Sequence, residues 1–427
     1  MTHFGIVCPN STGHLNTMFP LGKELQQRGH RVTLFGKLDI EQKVQAAGLE
    51  FKAIGESEFP VGSVAKSLTE LGKLEGREAL GYTVNIVKKN AEVLLRDAPK
   101  LMKEAGIEAL LVDQVSPEGG AVADFLGIPF VTICSAVVLN REEIVPPFST
   151  NWNYNPNALG RLRNRLGYQI LKRVSKPVTD VINAYRQEWK LPEQSSANDR
   201  YSKLAQISQQ PAELEFPREK LPQWFHFTGP YHSPVGRNVP DFPYEKLTGQ
   251  PLIYASLGTV QNRLIGVFQQ IAEACVGLDA QLIISLGGSA KPESLPKLAG
   301  SPLVVEYAPQ LELLQKASLT ITHAGMNTTL ECLNNAVPMV AIPIANDQPG
   351  VASRIVWSGC GEAVPLKRVD VPRLKTAIEK VLTEDSYKQN ALRLQNAIKQ
   401  AGGVQRAVDI IEQAVSTGKP VLAKTIN

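Results

Sequence analysis

The chain alternates short runs of aliphatic and β-branched residues with longer stretches in which apolar positions recur every three or four residues. That alternation predicts parallel α/β units, because each strand needs a crossover helix to bring the next one back parallel to it. In the first half it predicts strands at Phe4 to Pro9, Arg31 to Phe35, Ala109 to Val112 and Phe130 to Cys134, with helices at Leu15 to Arg28, Asn85 to Lys103 and Gly119 to Phe125. In the second half it predicts strands at Leu252 to Ser256, Gln281 to Ser285, Val304 to Tyr307, Leu319 to Thr322, Met339 to Pro343 and Glu362 to Pro365. Helices fit at Leu264 to Gly277, Thr328 to Asn335 and Ala352 to Trp357, and the remaining carboxyl-terminal sequence reads as largely helical. The segment Tyr231 to Gln250, with Pro234, Pro240 and Pro243, reads as a linker. The expected organisation is therefore α/β, two doubly wound halves at 1–235 and 250–427, with the last helix free to pack back on the first half. Ligands of such sheets bind outside the carboxyl ends of the strands, which places a cleft between the halves.

Composition narrows the classes. A chain of 427 residues that is 43% hydrophobic and 20% charged can bury two cores and has no signature of disorder. Its net charge of +4 gives no reason to expect nucleic acid, whose phosphates call for concentrated basic stripes. Cys8, Cys134, Cys275, Cys332 and Cys360 are scattered, with no C-x-x-C pair, so neither a disulfide framework nor a zinc site is expected. No apolar run approaches the roughly 18 residues of a membrane span, and the amino terminus lacks a basic signal region, so a cytoplasmic protein is expected.

Candidate chemistry lies at strand ends. The first strand ends in P-N-S-T-G-H-L-N, which puts His14 on a loop at the carboxyl edge of the sheet, and the run L-L-V-D puts Asp113 at another strand end close to it. A carboxylate on one imidazole nitrogen raises the basicity of the other. In the second half the order is Y-A-P-Q, H-A-G-M-N-T-T-L-E, P-M-V-A-I-P and N-D-Q-P-G. Gly325 marks a turn into a helix start after His323, an arrangement that offers backbone N–H groups to an anion. Taken singly, each residue has an ordinary alternative: His323 as a packed core histidine, Asn327, Thr328 and Asp113 as caps. There is no G-x-G-x-x-G, Walker A or D-x-D motif.

The ordered set resembles the donor-binding motif of the uridine-diphosphate glycosyltransferases. The resemblance implies the GT-B fold, two Rossmann-like domains facing a central cleft, and an inverting transfer from a UDP-sugar with no metal or other cofactor. Within it, His323 and the N–H groups after Gly325 would stabilise the leaving diphosphate, and Glu331 would accept hydrogen bonds from ribose hydroxyls. Tyr307 would stack on the base, the Ala308 backbone would contact its edge, and Gln310 would reach uracil or ribose. The resemblance also assigns Asn327 and Thr328 to the phosphates, Asp347 and Gln348 to sugar hydroxyls, and Ser256, Gly258 and Thr259 to a phosphate-side loop. His14 and Asp113 become a general-base dyad. Two positions depart from the family pattern: Tyr307 stands where plant members have Trp, and Val351 where many have Asn after D-Q.

Further stretches, V-D-Q-V-S-P-E-G-G, L-N-R-E, L-A-Q-I-S-Q and F-P-R-E-K-L-P, are similar to bacterial zeaxanthin glucosyltransferases. They imply a hydrophobic alcohol as acceptor and glucose as the sugar. A flavonoid, polyketide or sterol acceptor, or a catalytically silent UDP-sugar-binding protein, are the competing readings. Arg161 to Lys176 carries six cations and no anion, with Leu162, Leu166, Ile170 and Val174 every fourth residue. It reads either as a solvated helix packed on its own domain or as a peripheral membrane contact serving a lipophilic acceptor.

Overall fold

A computed structural model describes residues 1–74, 76–231, 240–258, 264–288 and 290–423. The first half contains β1 (His3–Val7), α1 (Thr12–Gln27), β2 (Arg31–Gly36), α2 (Glu41–Ala46), β3 (Glu50–Ala53), α3 (Ser63–Lys73) and α4 (Gly76–Ala105). It continues through β4 (Ala109–Asp113), α5 (Glu118–Leu126), β5 (Phe130–Cys134), α6 (Ala158–Glu188), β6 (Gln206–Ser208) and β7 (Phe225–Phe227). The second half contains β8 (Leu252–Ser256), α7 (Ile265–Ala274), β9 (Gln281–Ser285), β10 (Leu303–Val305), α8 (Gln310–Leu314) and β11 (Ala317–Thr322). After these come α9 (Met326–Asn334), β12 (Met339–Ala341), α10 (Gln348–Trp357), β13 (Gly361–Ala363), α11 (Val371–Thr383), α12 (Asp385–Ala401) and α13 (Gly403–Thr417).

All pairings are parallel, in a seven-stranded sheet ordered β3-β2-β1-β4-β5-β6-β7 and a six-stranded sheet ordered β10-β9-β8-β11-β12-β13. β1, β4 and β8 are buried along their whole length, as mostly apolar strands covered by helices on both faces should be, with His3, Asp113 and Ser256 as their polar end residues. The edge strand β3, E-F-K-A, has exposed positions at Glu50 and Lys52, and the short β6 and β7 carry Gln206 and His226. Their polar content and brevity explain why the hydrophobic pattern does not reveal them. β10 ends at Val305, so Tyr307 lies in the bend after it and not within the predicted strand.

The strand order reverses beside β1 in the first sheet and beside β8 in the second. Val7 pairs with Val112 and Thr322 pairs with Ser256, so the residues that follow these strands emerge side by side at each switch point. α13 packs on α1, and its Ala407, Val408, Ile411 and Ala414 belong to the first half's core. Of the predicted linker, residues 232–239, including Pro234, lie outside the described residues.

Candidate active site

The carboxyl edge of the first sheet gathers three polar side chains. His14 sits in the first turn of α1, whose N-cap is Ser11, and not on a preceding loop. The helix begins at Thr12 because the turn after β1 closes at once, with the His14 and Leu15 N–H groups bonded to the Ser11 carbonyl. Asp113, the last residue of β4, is fully buried, and its Oδ2 lies 2.7 Å from His14 Nδ1. Its Oδ1 accepts from the Val115 N–H at 3.1 Å, which fixes the carboxylate plane. Ser135, one residue beyond β5, donates to Asp113 Oδ2 at 2.5 Å and lies 2.7 Å from His14 Nδ1. With Nδ1 held by the carboxylate, Nε2 is the nitrogen left to take a proton.

Burial alone would lower the His14 pKa. The Asp113 charge and hydrogen bond, with a smaller contribution from Asp347, outweigh it and hold the imidazole above its ordinary value. Asp347 is itself raised by burial, against the opposing pull of the Val137 N–H and of His14.

The second sheet presents the complementary wall. After β11 the chain turns through Ala324, at φ 62, and Gly325 caps α9. A Cβ on Gly325 would come within 2.5 Å of His323 Nε2, and one on Gly258 within 3.0 Å, so both glycines make room for the imidazole. No side chain caps α9, which leaves its first N–H groups directed at the space beside His323. Burial depresses the His323 pKa to about 4, a fall that the Ser256 backbone only partly offsets. At neutral pH it is a neutral imidazole, suited to donate a hydrogen bond rather than to supply a charge.

Glu331 lies on α9 four residues after Asn327, is 1% exposed, and is capped by Gln310 Nε2 at 2.5 Å. Gln310 is held in turn by the Tyr254 hydroxyl at 3.2 Å and faces Thr328 Oγ1 at 3.5 Å. Tyr307 is 49% exposed, with its hydroxyl seated against Gly288, and Ala308 accepts from the Gln310 N–H. Asn327 does not stand free: its amide donates to the Gly13 carbonyl at 2.7 Å and its oxygen accepts from Gln209 at 2.8 Å. Gln348 spends its carbonyl on the Ile344 and Ala345 N–H groups, both 2.9 Å away, which leaves its NH2 as a donor. Asp347 Oδ2 accepts from the Val137 N–H at 3.3 Å. Val351, in the position where many family members carry Asn, is fully buried in the second half's core. Thr259 lies outside the described residues.

Three of these contacts, Asn327 to Gly13, Asn327 to Gln209 and Asp347 to Val137, cross between the halves and bring the His14 cluster and the α9 amino terminus onto one cleft. Ser135 and Gln209 are absent from the sequence-based set. Both follow the end of a strand in the same sheet, as Asp113 ends β4; strand-end position would have found Ser135 after the predicted β5, whereas Gln209 follows β6, which the hydrophobic pattern does not reveal.

The family described as “UDP-glucoronosyl and UDP-glucosyl transferase” matches residues 6–413. The chain is 33% identical to a zeaxanthin glucosyltransferase of Pantoea ananas, over 99% of this chain and 98% of that protein. It is 30% identical to a zeaxanthin glucosyltransferase of Pseudescherichia vulneris, over 99% and 100%. Among solved structures, the glycotransferase of kitacinnamycin superposes with a TM-score of 0.76 at 22% identity, covering 97% of this chain and 99% of that one.

Proposed function

This chain belongs to the UDP-glucoronosyl and UDP-glucosyl transferase family, and from that premise we propose that it moves glucose from UDP-glucose to a hydroxyl of a hydrophobic, carotenoid-like alcohol, with inversion and without metal. It is a UDP-glycosyltransferase with the GT-B architecture, two Rossmann-like sheets around one cleft. The observation that carries the mechanism is the 2.7 Å His14–Asp113 pair standing across the cleft from an uncapped helix amino terminus.

In this reading His14 Nε2 removes the proton of the acceptor hydroxyl while Asp113 stabilises the imidazolium that forms. The acceptor oxygen attacks the anomeric carbon from the side opposite the diphosphate, and the bond from that carbon to UDP breaks as the new one forms. His323 and the first N–H groups of α9 stabilise the negative charge that collects on the departing diphosphate. Glu331, handed over by Gln310, takes the ribose hydroxyls, and Asp347 with the Gln348 amide takes those of the sugar. Tyr307, half exposed beside Ala308, supplies the flat face for uracil. The similarity to two zeaxanthin glucosyltransferases supports a long polyene diol as acceptor.

The test is incubation with UDP-glucose and a panel of zeaxanthin, flavonoid, sterol and polyketide acceptors, read by mass spectrometry with and without EDTA. A glucosylated carotenoid formed equally with chelator is expected. A product on a different aglycone alone would reassign the acceptor, UDP release no faster than hydrolysis would favour a silent binding protein, and loss on chelation restored by Mg²⁺ would refute metal independence.

A further inference from the structure

α6 is seated on its own half by one face and leaves the other bare. Gly160 lies against Asn155 and Gly167 against Pro147 and Trp152, so closely that a Cβ at either would clash, and Asn164 and Ile182 are buried on the same side. On the opposite side Leu159, Leu162, Leu166 and Ile170 are 76%, 50%, 58% and 60% exposed. Their spacing of three and four residues makes one continuous apolar stripe. Val174, which the sequence pattern adds to the stripe, is instead half-buried, and Leu159 extends it at the other end.

The charges around the stripe are one-sided. From Ala158 to Thr179 the helix has no acidic residue. By helical position Arg165, Lys172 and Lys176 follow one flank, Arg163 lies on the other, and Arg173 prolongs the stripe. Arg161 pairs with Glu219, Arg165 with Glu143 and Lys176 with Asp180, while Arg163 lies over the Trp152 ring. Lys172 and Arg173 are exposed and form no ion pair among the described residues. A second copy of this chain would set these cations against each other. An anionic bilayer satisfies both features at once, its acyl boundary taking Leu and Ile and its phosphates taking the flanking cations.

We propose that the Leu159–Ile170 stripe of α6 docks on an anionic lipid bilayer and holds the acceptor side of the cleft at the membrane surface, an inference that rests on the lipophilic acceptor proposed above. The helix is rigidly tied to the reacting wall: Asn164 donates to the Glu143 carbonyl at 2.8 Å and the Tyr168 hydroxyl to the Val145 carbonyl at 3.1 Å. That same loop begins at Ser135 in the His14 cluster and passes through Val137 at Asp347.

The experiment is cosedimentation with phosphatidylcholine vesicles made with or without phosphatidylglycerol, paired with transfer to a long polyene diol either dissolved in the vesicles or dispersed in neutral detergent. Lys172→Glu with Arg173→Glu leaves the three ion pairs intact. A second variant replaces Leu162, Leu166 and Ile170 by Ser, all at exposed positions. Wild type should bind only the anionic vesicles, and more weakly as salt rises. The charge variant should bind about 30-fold less tightly, and the serine variant should also lose binding. Both should fail on the embedded acceptor and keep detergent transfer at the wild-type rate. Unchanged vesicle affinity in either variant, or a lipid-free dimer abolished by the serine substitutions, would overturn the proposal. Vesicle binding with no transfer in detergent would support docking and refute the acceptor reading instead.

Discussion

His14 has to be neutral to accept a proton, and its surroundings hold its pKa above the ordinary imidazole value of 6.5. The kcat/KM profile should therefore fall on the acid side with an apparent pKa above 6.5, because the protonated fraction is inactive below it. Asp113→Asn removes the charge that opposes burial, so the acid limb should move to lower pH as turnover drops. A limb that stays in place would separate the dyad from the titration. His14→Ala should lower turnover by roughly 10² to 10⁴ and leave UDP affinity nearly unchanged, as calorimetry can check. Activity within a few-fold of wild type would remove His14 from the proton transfer.

At the scale of elements, the proposed donor wall depends on α9 starting without a side-chain cap. Glu331 lies on the helix face that α9 turns inward, behind Gln310, so in the proposed donor complex a ribose would replace one amide hydrogen bond with its own. Glu331→Ala should weaken UDP binding by about 1.5 to 3 kcal/mol if those bonds are charge-assisted. A folded variant with unaltered UDP affinity would take Glu331 out of the donor site. Gly258 and Gly325 work at the same scale: without side chains, they let two turns from different strands close around one imidazole.

For the whole molecule, the joint between the halves matters as much as either sheet. Arg354 of α10 reaches into the first half, with Nη2 2.5 Å from Glu215 Oε1, and lies over the Phe216 ring. Arg218 stands 3.3 Å from the same carboxylate, and all three charged groups are buried. Arg354→Met keeps much of the side-chain length but leaves Glu215 with one cationic partner, which should destabilise the protein by on the order of 3 kcal/mol. The check is a lowered thermal midpoint; an unchanged one would mean that Arg218 suffices to hold the carboxylate.

The sequence by itself determined the parallel α/β class, the strands at the centre of both sheets and the residues of the donor motif. Those features are local: a short, mostly apolar run such as Leu252–Ser256, bounded by turn residues, reads as a buried strand, and His323 to Glu331 are brought together by one turn and one helix. The edge strands β3 and β7 and the short interior strand β6 escaped because they are short and carry polar residues where the sheet meets solvent or other polar groups. Only the tertiary structure decided that Ser135 joins His14 and Asp113, that Asn327 bridges to Gly13 and Gln209, and that Glu215 meets Arg354. Each of those contacts joins residues far apart in the chain, and strand order, register and the packing of one half on the other select them. Periodicity along the chain carries no information about that selection.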